Sequence, residues 1–149
     1  MIGMTWQIVL IHVLCYPIYQ LIGTIRHELA HAVAAWATNV RVIGVKVLPH
    51  RFNGHWLWGR TTFHPEDLFK LKPVVYMAPY YVDLYLLAVW GVLFATGVLD
   101  LIENPSTWLF ICTALMASSV VNLLYVLWKF YTGRPNDLTE ADRLKELGR

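Results

Sequence analysis

Arg26-His27-Glu28-Leu29-Ala30-His31 reads His-Glu-x-x-His inside an apolar segment. Residues four apart on an α-helix stand one turn above each other on the same face. His27 and His31 can therefore offer imidazole nitrogens to two corners of a tetrahedral metal site. Glu28 sits about 100° round the helix, beside the ion rather than on it, placed to hold and deprotonate a water that the ion polarises. This is the helical zinc-peptidase pattern. A chain of this length matches it by chance on the order of 1% of the time. Two histidines and a glutamate solvated on a helix surface would satisfy the same pattern. Here Ile22, Ile25, Leu29, Val33 and Trp36 surround them, and ionisable groups among such neighbours are costly unless something pairs or ligates them.

The rest of the chain is of the same character. Of 149 residues 57% are hydrophobic and only 15% charged, with a mean hydropathy of +0.47, which is the composition of a single membrane-embedded domain, residues 1–149, rather than of a soluble one. The net charge of +2 is dispersed between apolar stretches, which argues against nucleic-acid binding. Cys15 and Cys112 both fall in apolar stretches without C-x-x-C spacing and read as packing residues. The start, Met1-Ile2-Gly3-Met4, carries no Lys or Arg, and its apolar run continues into the metal motif, so the first hydrophobic stretch is expected to stay in the mature protein.

Three spans are expected, over residues 4–37, 73–98 and 106–130. The first is longer than a hydrocarbon core and must tilt, bend at Pro17 or protrude. Residues 39–63 change character: residues 40–48 are β-branched and glycine-punctuated, residues 49–55 carry turn residues including Asn53-Gly54, and residues 56–63 are again β-prone, which predicts a hairpin at the membrane edge. Trp56 and Trp58 suit an aromatic belt there, and His50, His55 and His64 read as interfacial loop histidines, as His12 reads as a paired histidine within a span. His64-Pro65-Glu66-Asp67 starts a short helix to about residue 72, Asp100 to Pro105 supplies an acidic turn, and the polar tail, residues 131–149, ends in an amphipathic helix over 139–147 capped by Thr139 or Asp137. Every Lys and Arg except Arg26 lies in the 38–72 loop or at and beyond Lys129. The positive-inside rule then puts the N-terminus outside and the hairpin and tail in the cytoplasm.

A catalytic zinc takes three protein ligands, so one more is needed. Ala34 and Ala37 stand where the longer H-E-x-x-H-x-x-G-x-x-H pattern needs Gly and His, and Glu66 explains itself as a helix start. Two aspartates remain. Asp83 lies about ten residues into the second span, near the depth of the histidines; its other role is to pair with Arg26 or to orient a ligand histidine. Asp137 follows the third span in Gly133-Arg134-Pro135-Asn136-Asp137-Leu138, a turn able to fold back to the metal.

On these residues the sequence resembles the site-two protease family of intramembrane zinc metalloproteases, particularly its small members. The resemblance covers nearly the whole chain: the metal motif on a membrane helix, a β-rich membrane-edge loop, a span opening on an Ala-Gly-Pro-like turn (Met77-Ala78-Pro79), and a span with Asn followed by an Asp ligand. In that family the third ligand is the aspartate of an Asn-Leu-Leu-Pro to Asp-Gly stretch. Asn122-Leu123-Leu124 matches its start and Asn136-Asp137-Leu138 lies nearest its end, with Tyr125 in place of Pro, Leu138 in place of Gly and a longer gap. Asp83 follows Pro79 one place later than the family's Asn. The resemblance favours Asp137 over Asp83 as third ligand and implies that Asn122 steadies substrate or the tetrahedral oxyanion.

The expected function is hydrolysis of a peptide bond in or near the membrane by a zinc site, with Glu28 as proton carrier and membrane proteins or peptides as substrates. A transmembrane substrate must unwind locally, and the hairpin's free edge could hold it as an added strand. Two other classes fit the same residues: a non-catalytic zinc-binding membrane protein that regulates a partner, for which a closed site using both Asp83 and Asp137 would speak, and a membrane zinc hydrolase of a non-peptide substrate.

Overall fold

The motif helix, α1 (Trp6–Ala37), is 32 residues long and runs unbroken through Pro17. The structure, a computed structural model, describes residues 6–52, 55–97, 105–133 and 137–146. At 1.5 Å per residue α1 spans about 48 Å, so Pro17 neither ends it nor divides it. It stops where Asn39 takes the left-handed conformation, φ 57°. Asn39 N–H then donates to Trp36 O at 3.1 Å and Val40 N–H to Ala35 O at 2.8 Å, the pair of hydrogen bonds that satisfies the last carbonyls of a helix.

Val40 turns inward at this stop and joins Ala35, Leu71 and Val75 in a small apolar core, flanked by Val42, Phe63 and Tyr76. That core fastens the end of α1 to the base of the hairpin and to the start of the next helix. The hairpin has two ladders. Its outer strands, β1 (Val42–Lys46) and β4 (Arg60–Phe63), pair antiparallel with an irregularity between Val42 and Gly44. Its inner strands, β2 (His50–Phe52) and β3 (His55–Leu57), pair His50 with Leu57 and Phe52 with His55. Residues 49–55, expected as turn, are thus largely strand, because cross-strand contacts continue up to the Asn53-Gly54 step, which itself lies outside the described residues. Arg60 stacks on the Phe52 ring, its guanidinium carbon 3.5 Å from the centroid, and so ties the two ladders together.

A 3₁₀ helix (Pro65–Lys70) follows, with the His64 ring accepting from Glu66 N–H at 3.4 Å as its cap. Buried Asp67 takes bonds from Arg41 N–H (3.1 Å), Arg41 Nε (2.7 Å) and Lys70 Nζ (2.8 Å), locking this turn onto the hairpin base. The Arg41 and Lys70 hydrogen bonds hold the Asp67 carboxyl below the usual carboxylate range.

Pro73 sits at the first position of α2 (Pro73–Ala95), where its missing N–H costs nothing. The helix closes at Gly97, φ 67°, just short of the expected residue 98. The acidic turn at residues 100–104 lies outside the described residues, as do the side chains of His12 and Cys112. Then come α3 (Pro105–Tyr131) and α4 (Asp137–Glu146), which begins before the expected Thr139. Helix α1 packs on α2 and α3, and α4 on α2 and α3. Helices α1 and α3 approach so closely that a Cβ on Gly23 would stand 2.9 Å from Ser118 Cβ.

The molecule is therefore mainly helical, with two small two-stranded sheets. By length and apolar composition α2 can cross a membrane, and among the described residues no other helix meets that measure. The expectation of three such helices is met for α2 alone.

Candidate metal centre

His27 and His31 stack along one face of α1 with ring centroids 4.8 Å apart and planes 84° to each other. The positive φ of Gly133, 64°, ends α3, and the chain comes back with Asp137 as the first residue of α4, packed against α2. Asp137 Oδ2 lies 3.2 Å from His27 Nε2 and 3.3 Å from His31 Nε2. One ligand atom from each of the three residues lies within 4.8 Å of the others, and the group could hold a metal ion. A tetrahedron with bonds of about 2.05 Å has edges of about 3.3 Å, which the two imidazole–carboxylate distances match.

The hydrogen bonds around the group fit a cation at its centre. His31 Nδ1 donates to the Val75 carbonyl at 2.7 Å, which leaves Nε2 with its lone pair facing the Asp137 carboxylate. Two lone pairs at that distance repel unless a positive charge, proton or metal, lies between them. Tyr80 donates its hydroxyl to Asp137 Oδ2 at 2.9 Å, with its ring edge-on to His27.

Glu28 is buried and lines the same cavity, of about 580 Å³, as the three candidate ligands. Its Oε2 accepts from the Thr61 hydroxyl at 2.7 Å. Tyr16, Gln20 and Thr24 continue the α1 wall, Asn122 and Lys129 lie on the α3 wall, and β3 and β4 close the side. Asn122 thus faces the cavity, with Nδ2 3.7 Å from the position of a Cβ on Gly23.

Asp83 is placed elsewhere. Its Oδ1 accepts from Arg26 Nη2 and, at 3.0 Å, from Ser119 Oγ, while Arg26 also reaches Ser118 and Ser119. This buried group joins α1, α2 and α3, and Asp83 Oδ2 finds no partner among the described residues. Of the two sequence candidates, then, Asp137 is brought to the histidines and Asp83 to Arg26. Glu66 pairs with Arg41 at 2.9 Å on the hairpin side.

Tyr80, Thr61 and the Val75 carbonyl were not singled out from the sequence. Tyr76, Tyr80 and Asp83 do recur at helical spacing on α2, which marks one inward face but not what that face touches. No spacing rule separates a threonine that meets a glutamate from one that lines a strand. Compared with protein-family models, with curated proteins and with solved structures, the chain finds no match.

Proposed function

We propose that this chain is an intramembrane zinc metalloprotease of the kind the site-two protease resemblance implies, cleaving membrane proteins or peptides in or near their spanning segments. The observation that carries the reading is the meeting of His27, His31 and Asp137 in one cavity with Glu28 beside them. The distribution of side chains supports a lipid surround. Phe94 and Tyr85 on α2 are 73% and 69% exposed, and Val13, Leu14, Val33 and Leu124 also face outward, whereas Thr24, Glu28, His31, Asp83, Ser118 and Ser119 are buried. Apolar outside and polar within is costly in water and favourable in a bilayer. On this reading α1, α2 and α3 all cross the membrane, with the N-terminus outside and the hairpin and tail cytoplasmic, as the charge distribution suggests.

Zinc, held by His27, His31 and Asp137, would supply a Lewis acid for the scissile carbonyl and acidify the attacking water. Glu28 takes the proton from that water and passes it to the leaving nitrogen. The Val75 carbonyl fixes the His31 tautomer, and the Tyr80 hydroxyl holds the Asp137 carboxylate toward the histidines. Asn122, across the cavity, steadies the tetrahedral oxyanion or the substrate backbone. Strand β4 pairs with β1 alone among the described residues and lines the cavity, so its other edge can receive an unwound substrate as an added strand. The bonding of Asp83 to Arg26 and Ser119 weighs against a closed four-ligand structural site.

The test is Glu28→Gln in the purified protein with a model single-pass substrate. Loss of cleavage with zinc retained supports the reading, and undiminished cleavage overturns it.

A further inference from the structure

The hairpin meets the motif helix at the side chain on which the chemistry depends. Thr61 Oγ1, on β4, lies 2.7 Å from Glu28 Oε2 and 3.1 Å from the Glu28 backbone oxygen. A hydroxyl has one proton to donate, so these two acceptors compete for it. On the other side stands Gly59, just before the strand. A Cβ there would come 2.5 Å from Glu28 Oε1, 2.8 Å from Glu28 Cγ and 2.6 Å from Thr24 Cγ2. One carboxylate oxygen is therefore bounded by a donor and the other by bare backbone, in a residue only 6% exposed and without a cation partner among the described residues. Nothing in packing alone requires both features at one glutamate.

We propose that Thr61 is a positioning residue for Glu28 and that Gly59 leaves the room in which the carboxylate sits. The proposal deepens the protease reading and rests on it. The Thr61 hydroxyl fixes the carboxylate rotamer while it donates to Oε2, and its shift to the backbone oxygen frees Oε2 to take a proton from water. The same strand, β4, is the one along which an unwound substrate would lie. Substrate contact with the hairpin is thereby transmitted to the proton carrier.

The experiment compares Thr61→Val, Thr61→Ser, Gly59→Ala and Thr96→Val as full chains. The substrate is a single-pass transmembrane peptide with a fluorophore and a quencher on either side of its apolar segment, in phosphatidylcholine vesicles. Zinc per chain and Tm are measured on each variant. Valine keeps the β-branched shape and removes the donor. Its kcat is expected to fall about tenfold or more, the equivalent of losing one charge-assisted hydrogen bond, with KM and zinc content unchanged. Serine restores kcat to near the wild-type value, Gly59→Ala lowers kcat at least as far as valine does, and Thr96→Val, exposed just past the end of α2 and outside the cavity, leaves it unchanged. Wild-type kcat in Thr61→Val, failure of serine to rescue, an effect confined to KM, or loss of zinc in Thr61→Val each overturns the proposal. Glu28→Gln in the same assay separates the two levels. If it is inactive while Thr61→Val is fully active, the positioning role fails and the protease reading stands; if it remains active, both fail.

Discussion

Replacing Asp83 with leucine separates holding the helices together from holding a metal. The Asp83 side chain is 2% exposed, and its Oδ1 receives Arg26 and Ser119; the Arg26 side chain is 16% exposed, with Ser118 and Ser119 as its other acceptors. Removing the carboxylate leaves a guanidinium among helices with, among the described residues, two serine hydroxyls to meet it. Breaking a buried ion pair on one side costs about 3–5 kcal/mol. The serines and the residual exposure of Arg26 put this site near the lower end, about 3 kcal/mol. At roughly 2–4 °C per kcal/mol for a chain of this size, Tm should fall by about 6–12 °C. The double replacement Arg26→Met with Asp83→Leu removes both charges and should recover most of that loss. Thermal unfolding followed by tryptophan fluorescence in detergent, with zinc analysis on the same samples, reads both quantities. Zinc stays at the wild-type level in every one of these variants. An unchanged Tm in Asp83→Leu, a double variant no more stable than the single one, or loss of zinc with Asp83 would refute the reasoning.

Tyr80→Phe removes the hydroxyl that holds the Asp137 carboxylate. Zinc affinity should drop about tenfold or more with the helices intact, as measured by competition with a chromogenic chelator. Val75→Ala opens a void in the core beneath α1 and should cost about 1–3 kcal/mol in Tm-derived stability, with a smaller loss of zinc affinity because the carbonyl that orients His31 shifts with it. Asp67 carries a lowered pKa in the folded chain because of Arg41 and Lys70, so its contribution is fully present above the unfolded value, about 4, and is lost as pH falls below it toward the folded one. Tm measured between pH 6 and pH 2 should therefore decline more steeply, below about pH 4, in wild type than in Asp67→Asn.

The motif helix was legible because His27, Glu28 and His31 carry their own spacing and because the apolar run around them has no competing pattern. Its stop was not: the left-handed Asn39 and the inward turn of Val40 look like any loop entrance until Ala35 is seen beneath them. The hairpin was legible from Asn53-Gly54, and the β-prone run from residue 56 took in most of β3, yet β2 was not, since His50, Arg51 and Phe52 fall in the stretch that reads as turn. Asp83 and Asp137 were both visible as candidates. Sequence distance could not choose between them, because the choice depends on Gly133 turning the chain back and on Arg26 facing α2. The supporting bonds of the site were beyond reach for a simpler reason. The Val75 carbonyl is main chain and has no signature, and a hydroxyl on Tyr80 or Thr61 acquires its meaning only from what it touches.

The most direct measurement is metal content and coordination in the purified full chain beside His27→Ala and Asp137→Ala, by elemental analysis and X-ray absorption. One zinc per chain with two imidazole nitrogens and a carboxylate oxygen among its ligands, lost in both variants, is the expected result. A wild-type chain that takes up no zinc, or an Asp137→Ala chain that keeps it with the same coordination, would contradict the assignment.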